Sequence, residues 1–281
     1  MPQPGNTPTP DPDTTFQIGG APIKNVQSVK YLGSMLTADC SLENEIQNRI
    51  RQASASYGKF SARVFKNRDL SITTKVKVYR AICLSILLYS CESWTLYRGQ
   101  LRRLEAFHIR SLQSILGITW KDKMPHVTIL QRTNSTSIEA MIMTRQLSWT
   151  GHVIRMPDDR LPKQVLYGEL ATGQRSVGRQ KKRYKDNLKA TLKKCNIPPN
   201  TLEEVASNRR DWRSATHRGV QLFEEARTNA RIAQRNRRHA IQARPPLAPG
   251  DGIPCPTCGR RCASEFGLRS HQRIHQRRGQ P

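Results

Sequence analysis

Apolar residues return every third or fourth position over most of this chain, and that period predicts helices. Ile46, Ile50, Ala53, Tyr57, Phe60 and Val64 draw one stripe, with Arg49, Arg51, Lys59 and Arg63 off it. Ser41 is placed to cap this helix, and Glu43 and Glu45 in its first turn suit the positive end of the dipole. Ser71 opens a second helix reaching to about residue 90; it is apolar nearly all round after Val78, which predicts a central place in the core. A third helix spans about 100 to 116, with Leu101, Leu104, Phe107, Leu112 and Ile115 inward and Gly117 as its stop. A fourth begins near Thr136 or Ser137 and carries Ile138, Ile142, Leu147 and Trp149, after which Pro157 and Pro162 end the compact part.

The period breaks in four places. Residues 1–15 hold five prolines and almost no large apolar side chains, so they are expected to be disordered. In 16–37, Gly19 and Gly20 separate Ile18 from Ile23, and Val26, Val29, Tyr31 and Leu32 follow; this reads as a hairpin or three short strands. From 168 the composition turns basic: a helix is expected at about 179–194, a capping box from Thr201 and Glu204 opens the next, and an arginine-rich helix covers about 211–244. Pro245, Pro246, Pro249 and Gly250 then read as a linker.

Charge narrows the function. The 281 residues carry 47 Lys and Arg against 21 Asp and Glu, a formal net charge of +26. A length of this order supports one or two domains with a real core. So large an imbalance implies a polyanionic partner, DNA or RNA first and an anionic membrane surface second, against a merely solvated basic surface. The most apolar run, 78–89, is too short to cross a bilayer and contains Arg80, so no membrane span is expected. The seven cysteines suggest no disulfide framework, and the first residues lack the pattern of a signal peptide. Both fit a reducing, intracellular compartment.

Four residues carry the clearest chemistry. Cys255, Cys258, His271 and His275 have the spacing C-x2-C-x12-H-x3-H, the ligand order of a ββα zinc module, with Leu268 at its core-leucine position. Two thiolates on a turn and two imidazoles one helical turn apart can share a tetrahedral Zn²⁺. Cys262 stands where an aromatic core residue is usual, and Phe266 is expected to fill that gap. Counting back from His271 as helix position seven, the base-facing positions are Ser264, Gly267 and Ser270, none a bidentate reader of guanine or adenine. Arg260, Arg261, Arg269, Arg273, Arg277 and Arg278 are better suited to phosphates, which predicts little sequence preference. A protein-docking module is the competing reading. Arg175, Arg179, Lys181, Lys182, Arg183, Lys185 and Lys189 form a second basic group, readable also as a nuclear localisation signal. No P-loop, GxSxG or HExxH is present, and His108 and His152 read as packing or hydrogen-bonding residues, so neither catalysis nor a small-molecule substrate is expected.

Several segments together resemble a family. VKYLGSMLTADCSLENEIQNRI, LLYSCESWTL and LRRLEAFHIRSLQSILGITWKDK are similar to the region just after the polymerase palm in LINE-type (non-LTR) retrotransposon reverse transcriptases. RQLSWTGHVIRMPDDRLPKQVLYGEL and GRQKKRYKDNLKATLK continue the likeness, and CPTCGRRCASEFGLRSHQRIH resembles the zinc module that ends some of those polyproteins. The resemblance implies a primer-grip-like hairpin at Tyr31, Leu32 and Gly33, a helical thumb, and basic and zinc-bearing parts that engage RNA or target DNA. It also picks out Gly151, His152, Val153, Arg155 and Met156 as a signature without a derivable role. The paired-aspartate turn that such polymerases need for two Mg²⁺ ions is absent.

The expected architecture is therefore mainly α. A primer-grip-like hairpin and thumb-like helical domain occupy 16–167, a basic helical extension 168–244, a Pro-rich linker 245–252 and a C2H2 zinc finger 253–278. The expected function is a non-catalytic, zinc-containing, nuclear nucleic-acid-binding fragment derived from a retrotransposon reverse transcriptase. Two alternatives stand beside it: a portion of an active RNA-directed DNA polymerase whose palm lies upstream, and a zinc-finger interaction protein exposing apolar surface such as Leu84, Ile86 and Leu88.

Overall fold

The computed structural model describes residues 16–23, 26–168, 181–242 and 252–278. The disorder expected for 1–15, and most of the linker expected at 245–252, lie outside them. The described residues divide into two compact units, one ending at Asn229 and the other beginning at Ala230. The chain is mainly helical.

Two antiparallel hairpins come first. In β1 (Phe16–Ile18) and β2 (Ala21–Ile23), Ile18 pairs with Ala21 across Gly19 and Gly20, both at positive φ. In β3 (Ser28–Tyr31) and β4 (Ser34–Thr37), Tyr31 pairs with Ser34 across Leu32 and Gly33. Leu32 sits at φ 46° and Gly33 at φ 86°, the conformation a two-residue hairpin turn demands. The Tyr89 hydroxyl donates to the Leu32 carbonyl at 2.9 Å and holds that turn.

Helix α1 (Glu43–Phe60) buries Ile46 and Ala53 as its stripe predicts. Leu42 occupies the N-cap, and the Ser41 Oγ instead accepts the Glu43 N–H at 3.2 Å. Arg49, read as lying off the stripe, is buried. Its Nε meets Glu45 Oε1 at 2.6 Å and its Nη2 donates to the Gly33 carbonyl at 2.6 Å, while Glu45 Oε2 accepts the Met35 N–H at 2.7 Å. The pair hooks the β3–β4 hairpin onto α1, a long-range partnership that helical period does not encode. A π-helical turn, Ser61–Phe65, then adds a residue to the register and brings Phe65 fully into the core, with Val64 only partly buried.

Ser71 caps α2 (Ile72–Tyr79), its Oγ accepting the Thr74 N–H at 3.2 Å. A second π turn (Arg80–Leu84) leads into α3 (Ser85–Leu87). Of the three residues named above for an interaction surface, Leu84 and Leu88 are buried and Ile86 is partly buried against the core. Helix α4 (Arg98–Leu116) ends at Gly117 with φ 68°. The short α5 (His126–Arg132) was not anticipated.

Helix α6 (Ile138–Ile154) begins at Ser137, whose Oγ accepts the Ala140 N–H at 3.2 Å. It belongs to two hydrophobic clusters. Ile138 and Ile142 join the first, with Tyr79, Leu87, Trp94, Leu104 and Leu112. Ala140, Met143, Leu147 and Ile154 join the second, with residues of α8 (Tyr184–Lys194), α9 (Leu202–Ser207) and α10 (Arg209–Gln242). Leu188, Leu192, Ala206, Trp212 and Val220 supply that second side. The compact unit therefore runs past Pro157 and Pro162 and across the division expected at 167/168. Pro162 lies in the first turn of α7 (Leu161–Tyr167), where a missing N–H is harmless. Thr201 makes no capping box: its hydroxyl donates to the Pro198 carbonyl at 3.4 Å.

In the second unit, β5 (Ile253–Pro254) pairs antiparallel with β6 (Arg261–Cys262), and α11 (Glu265–Arg278) follows.

Candidate metal centre and cationic surfaces

The β5–β6 turn is built by two backbone hydrogen bonds, Cys255 N–H to the Arg260 carbonyl at 2.9 Å and Gly259 N–H to the Cys255 carbonyl at 2.8 Å. Gly259 closes it at φ 70°, where a side chain would be strained. This loop places Cys255 and Cys258 on one side. Ser264 caps α11 through its Oγ, which accepts the Gly267 N–H at 3.2 Å. From that start His271 and His275 fall one turn apart on one face. Cys258 Sγ lies 3.0 Å from His271 Nε2, the two Nε2 atoms lie 3.0 Å apart, and all four ligand atoms lie within 4.8 Å of one another.

Thiols and imidazole nitrogens so close repel unless protons or a cation sit between them. Zn–N bonds of about 2.0 Å and Zn–S bonds of about 2.3 Å put tetrahedral ligand–ligand edges at roughly 3.3–3.8 Å, so the donor set fits one such ion after small adjustments. Protonation follows the same logic. Burial raises the Cys255 thiol pKa, but hydrogen bonds from Thr257 and Cys258 outweigh it and leave the net shift downward, toward thiolate. Burial, His275 and Arg260 lower the His271 pKa, favouring the neutral imidazole that binds metal. Two details differ from expectation. Phe266 is 83% exposed and fills no gap beside Cys262, because its place on α11 points away from the histidine face. Cys262 is half-buried and lies outside the four-residue group.

Of this unit's arginines, Arg260, Arg261, Arg269 and Arg273 are exposed at its surface. Arg269 lies 3.6 Å from Glu265, a pair too exposed to matter much. Ser264 directly precedes the first helical residue, Glu265, so the count placing Ser264, Gly267 and Ser270 at the base-facing positions agrees with the helix start.

The other basic group is disposed differently. Arg175 and Arg179 lie outside the described residues. Lys181 donates to the Asp39 carbonyl. Lys182 donates to the Leu96 carbonyl at 3.2 Å and stands 5.8 Å over the Tyr97 ring. Arg183 forms a two-pronged pair with Asp186 at 3.1 and 3.0 Å, and Lys185 donates to the Gly168 carbonyl at 3.1 Å. Lys189 is exposed. Four of these cations are therefore engaged with protein groups, three of them with backbone carbonyls.

Among the described residues, carboxylates do not assemble a second metal site. Glu105, Glu139 and Glu224 converge, but on the Arg227 guanidinium, at 2.9, 4.0 and 3.6 Å. Asp158 pairs with Lys163 at 2.7 Å. His108 is fully buried: the Tyr79 hydroxyl meets its Nδ1 at 3.0 Å, and its Nε2 meets the Thr136 carbonyl at 3.2 Å. A carbonyl only accepts, so Nε2 carries the proton and Nδ1 accepts from Tyr79. Burial, the largest influence, pushes the His108 pKa down to about 4.

The signature at 151–156 acquires a structural role. A Cβ on Gly151 would lie 2.1 Å from Trp212 Nε1, so only glycine lets the indole lie across α6. From there the indole N–H donates to the Leu147 carbonyl at 2.9 Å. Arg155 donates to the Ala206 carbonyl at 2.6 Å, Val153 is buried, and the Met156 carbonyl accepts from Lys163 at 2.9 Å. His152 alone is exposed, 5.5 Å from the Trp149 ring. The segment is a joint binding α6 to α7, α9 and α10.

No family model, curated protein or solved structure matches the chain. Among the described residues no helix is long and apolar enough to cross a membrane.

Proposed function

We propose that this chain is a non-catalytic, zinc-containing nucleic-acid-binding protein, akin to the thumb and C-terminal part of a LINE-type reverse transcriptase and acting in the nucleus. The observation that carries the reading is the convergence of Cys255, Cys258, His271 and His275 within 4.8 Å, on two short strands and a helix. The arrangement supports a C2H2 zinc finger. Four protein ligands close the coordination sphere, so Zn²⁺ there is structural and leaves no position for an activated water. Its binding supplies the stability that a unit this small cannot draw from a core. A net charge of +26 and small residues at the reading positions favour contact with phosphates over contact with bases.

Filter binding of a DNA duplex and an RNA strand tests this between about 50 and 200 mM salt, where log K is expected to fall steeply and linearly with log salt. A slope indistinguishable from zero rejects the electrostatic reading.

One observation favours the second reading, a portion of a larger polymerase polypeptide. Val29, Tyr31, Leu32 and Leu36 on the β3–β4 hairpin are about half or more exposed, at 50, 62, 76 and 52%, a surface that another domain could cover. Primer extension by the chain alone is expected to give no incorporation, and measurable incorporation would reverse the order of the two readings.

A further inference from the structure

A row of exposed cations that line one groove lies on α10, for which the sequence alone pointed to no binding residues. Between 209 and 221 this helix buries Trp212, Thr216 and Val220. On the opposite side Arg210, Arg213, Ser214, His217, Arg218 and Gln221 recur at alternating steps of three and one, and together they line one shallow groove. All six are exposed. Asp211 is the sole carboxylate in this stretch. Among the described residues the Arg210, Arg213 and Arg218 side chains have no hydrogen bond or ion pair, whereas Lys181, Lys182, Arg183 and Lys185 all do.

Like charges three to five residues apart on a helix repel, and a bound anion relieves that repulsion. Arginine adds a planar fork of donors suited to phosphate oxygens. Eight residues separate Arg210 from Arg218, which at 1.5 Å per residue is about 12 Å. One strand of a duplex presents a phosphate about every 3.4 Å of axis, so the three arginines span roughly three or four phosphates. We propose that this face of α10, centred on Arg210, Arg213 and Arg218, binds the phosphate backbone of nucleic acid, and that it does so in preference to Lys181, Lys182 and Lys185. Ser214 and Gln221 add neutral donors at its edge. The proposal rests on the nucleic-acid reading above.

The test uses the full chain, a DNA duplex of about 20 base pairs and an RNA strand of the same length, titrated across salt. Replacing Arg210, Arg213 and Arg218 together by Gln is expected to flatten the slope of log K against log salt by about 2.7 on the duplex, at about 0.9 per phosphate, and somewhat less on the single strand. The charge-preserving variant with Lys at all three positions should keep the wild-type slope. Exchanging Lys181, Lys182 and Lys185 for Gln should change it by less than about 1. Should the triple Gln variant lose helicity, each single variant still has an expected change of about 0.9 on the duplex. A wild-type slope in the arginine variants overturns the proposal while the nucleic-acid reading stands. Loss of affinity for anionic vesicles but not for nucleic acid also overturns it. A wild-type chain that binds neither DNA nor RNA at low salt defeats the underlying reading itself.

Discussion

Replacing Gly151 by Ala should destabilise the larger unit out of proportion to the one methyl group added. In an exposed helix interior this exchange stabilises by about 1 kcal/mol, since alanine restricts the unfolded chain. Gly58 in α1 is such a site, with nothing within 4 Å of an added Cβ, and Gly58→Ala is the internal control. At Gly151 the same methyl would lie 2.1 Å from Trp212 Nε1 and 2.2 Å from its Cδ1. Reaching a van der Waals contact of about 3.5 Å requires the indole to retreat by roughly 1.4 Å. Trp212 is 3% exposed and donates to the Leu147 carbonyl at 2.9 Å, so the retreat repacks a full cluster and breaks that bond. Overpacking costs about 1–3 kcal/mol and a buried orphaned donor about 1–3 kcal/mol; less the propensity gain of about 1 kcal/mol, the net loss is about 1–5 kcal/mol. Urea denaturation followed by circular dichroism measures it. The decisive comparison is a double-mutant cycle: in a Trp212→Ala background, Gly151→Ala should be neutral or stabilising. An equal loss in both backgrounds, or a single variant as stable as wild type, refutes the account.

The buried imidazole predicts a pH effect. With the His108 pKa near 4 against 6.5 for an ordinary histidine, the unfolded chain binds the extra proton between those values, so stability falls as pH falls through that window. The loss from pH 7 to pH 5 is about 2 kcal/mol, and His108→Gln should abolish that part of the slope; equal slopes for the two proteins contradict it. Among the described residues Thr216 Oγ1 is buried without a hydrogen-bond partner, so Thr216→Val should hold or raise the unfolding free energy measured in urea, by up to about 1 kcal/mol; a clear loss contradicts this. Removing metal with a chelator should melt the helix of residues 265–278 while leaving the urea transition of the larger unit in place, and Cys258→Ser should do the same. A helix of residues 265–278 that keeps its structure without metal counts against a structural ion.

The four-ligand group was legible because it rests on local spacing: two residues between the cysteines, three between the histidines, and a helix start at Glu265 that puts both imidazoles on one face. Helices α1, α4 and α6 were legible for the same reason, through period and through the signals of Ser137 and Gly117. What escaped is long-range or masked by charge. Arg49 reads as a surface cation until the hairpin carbonyl at Gly33 comes to meet it. Leu188, Leu192, Trp212 and Val220 stand among so many basic residues that the second cluster reads as a solvated extension. The alternation of Trp212, Thr216 and Val220 was the signal available for it. Conversely, the lysines of 181–185 advertise a ligand, while backbone carbonyls of distant segments claim them.

Among the described residues, the fully exposed positions of helix α6 form a narrow lane at Thr144, Arg145, Ser148, Trp149 and His152. Its remaining circumference faces interior on two sides. Damage to either cluster is therefore felt by the other through a shared wall, and heating should dismantle both in a single step. A polar replacement tolerated at Arg145 would, two positions away at Met143 or Leu147, enter the second interior.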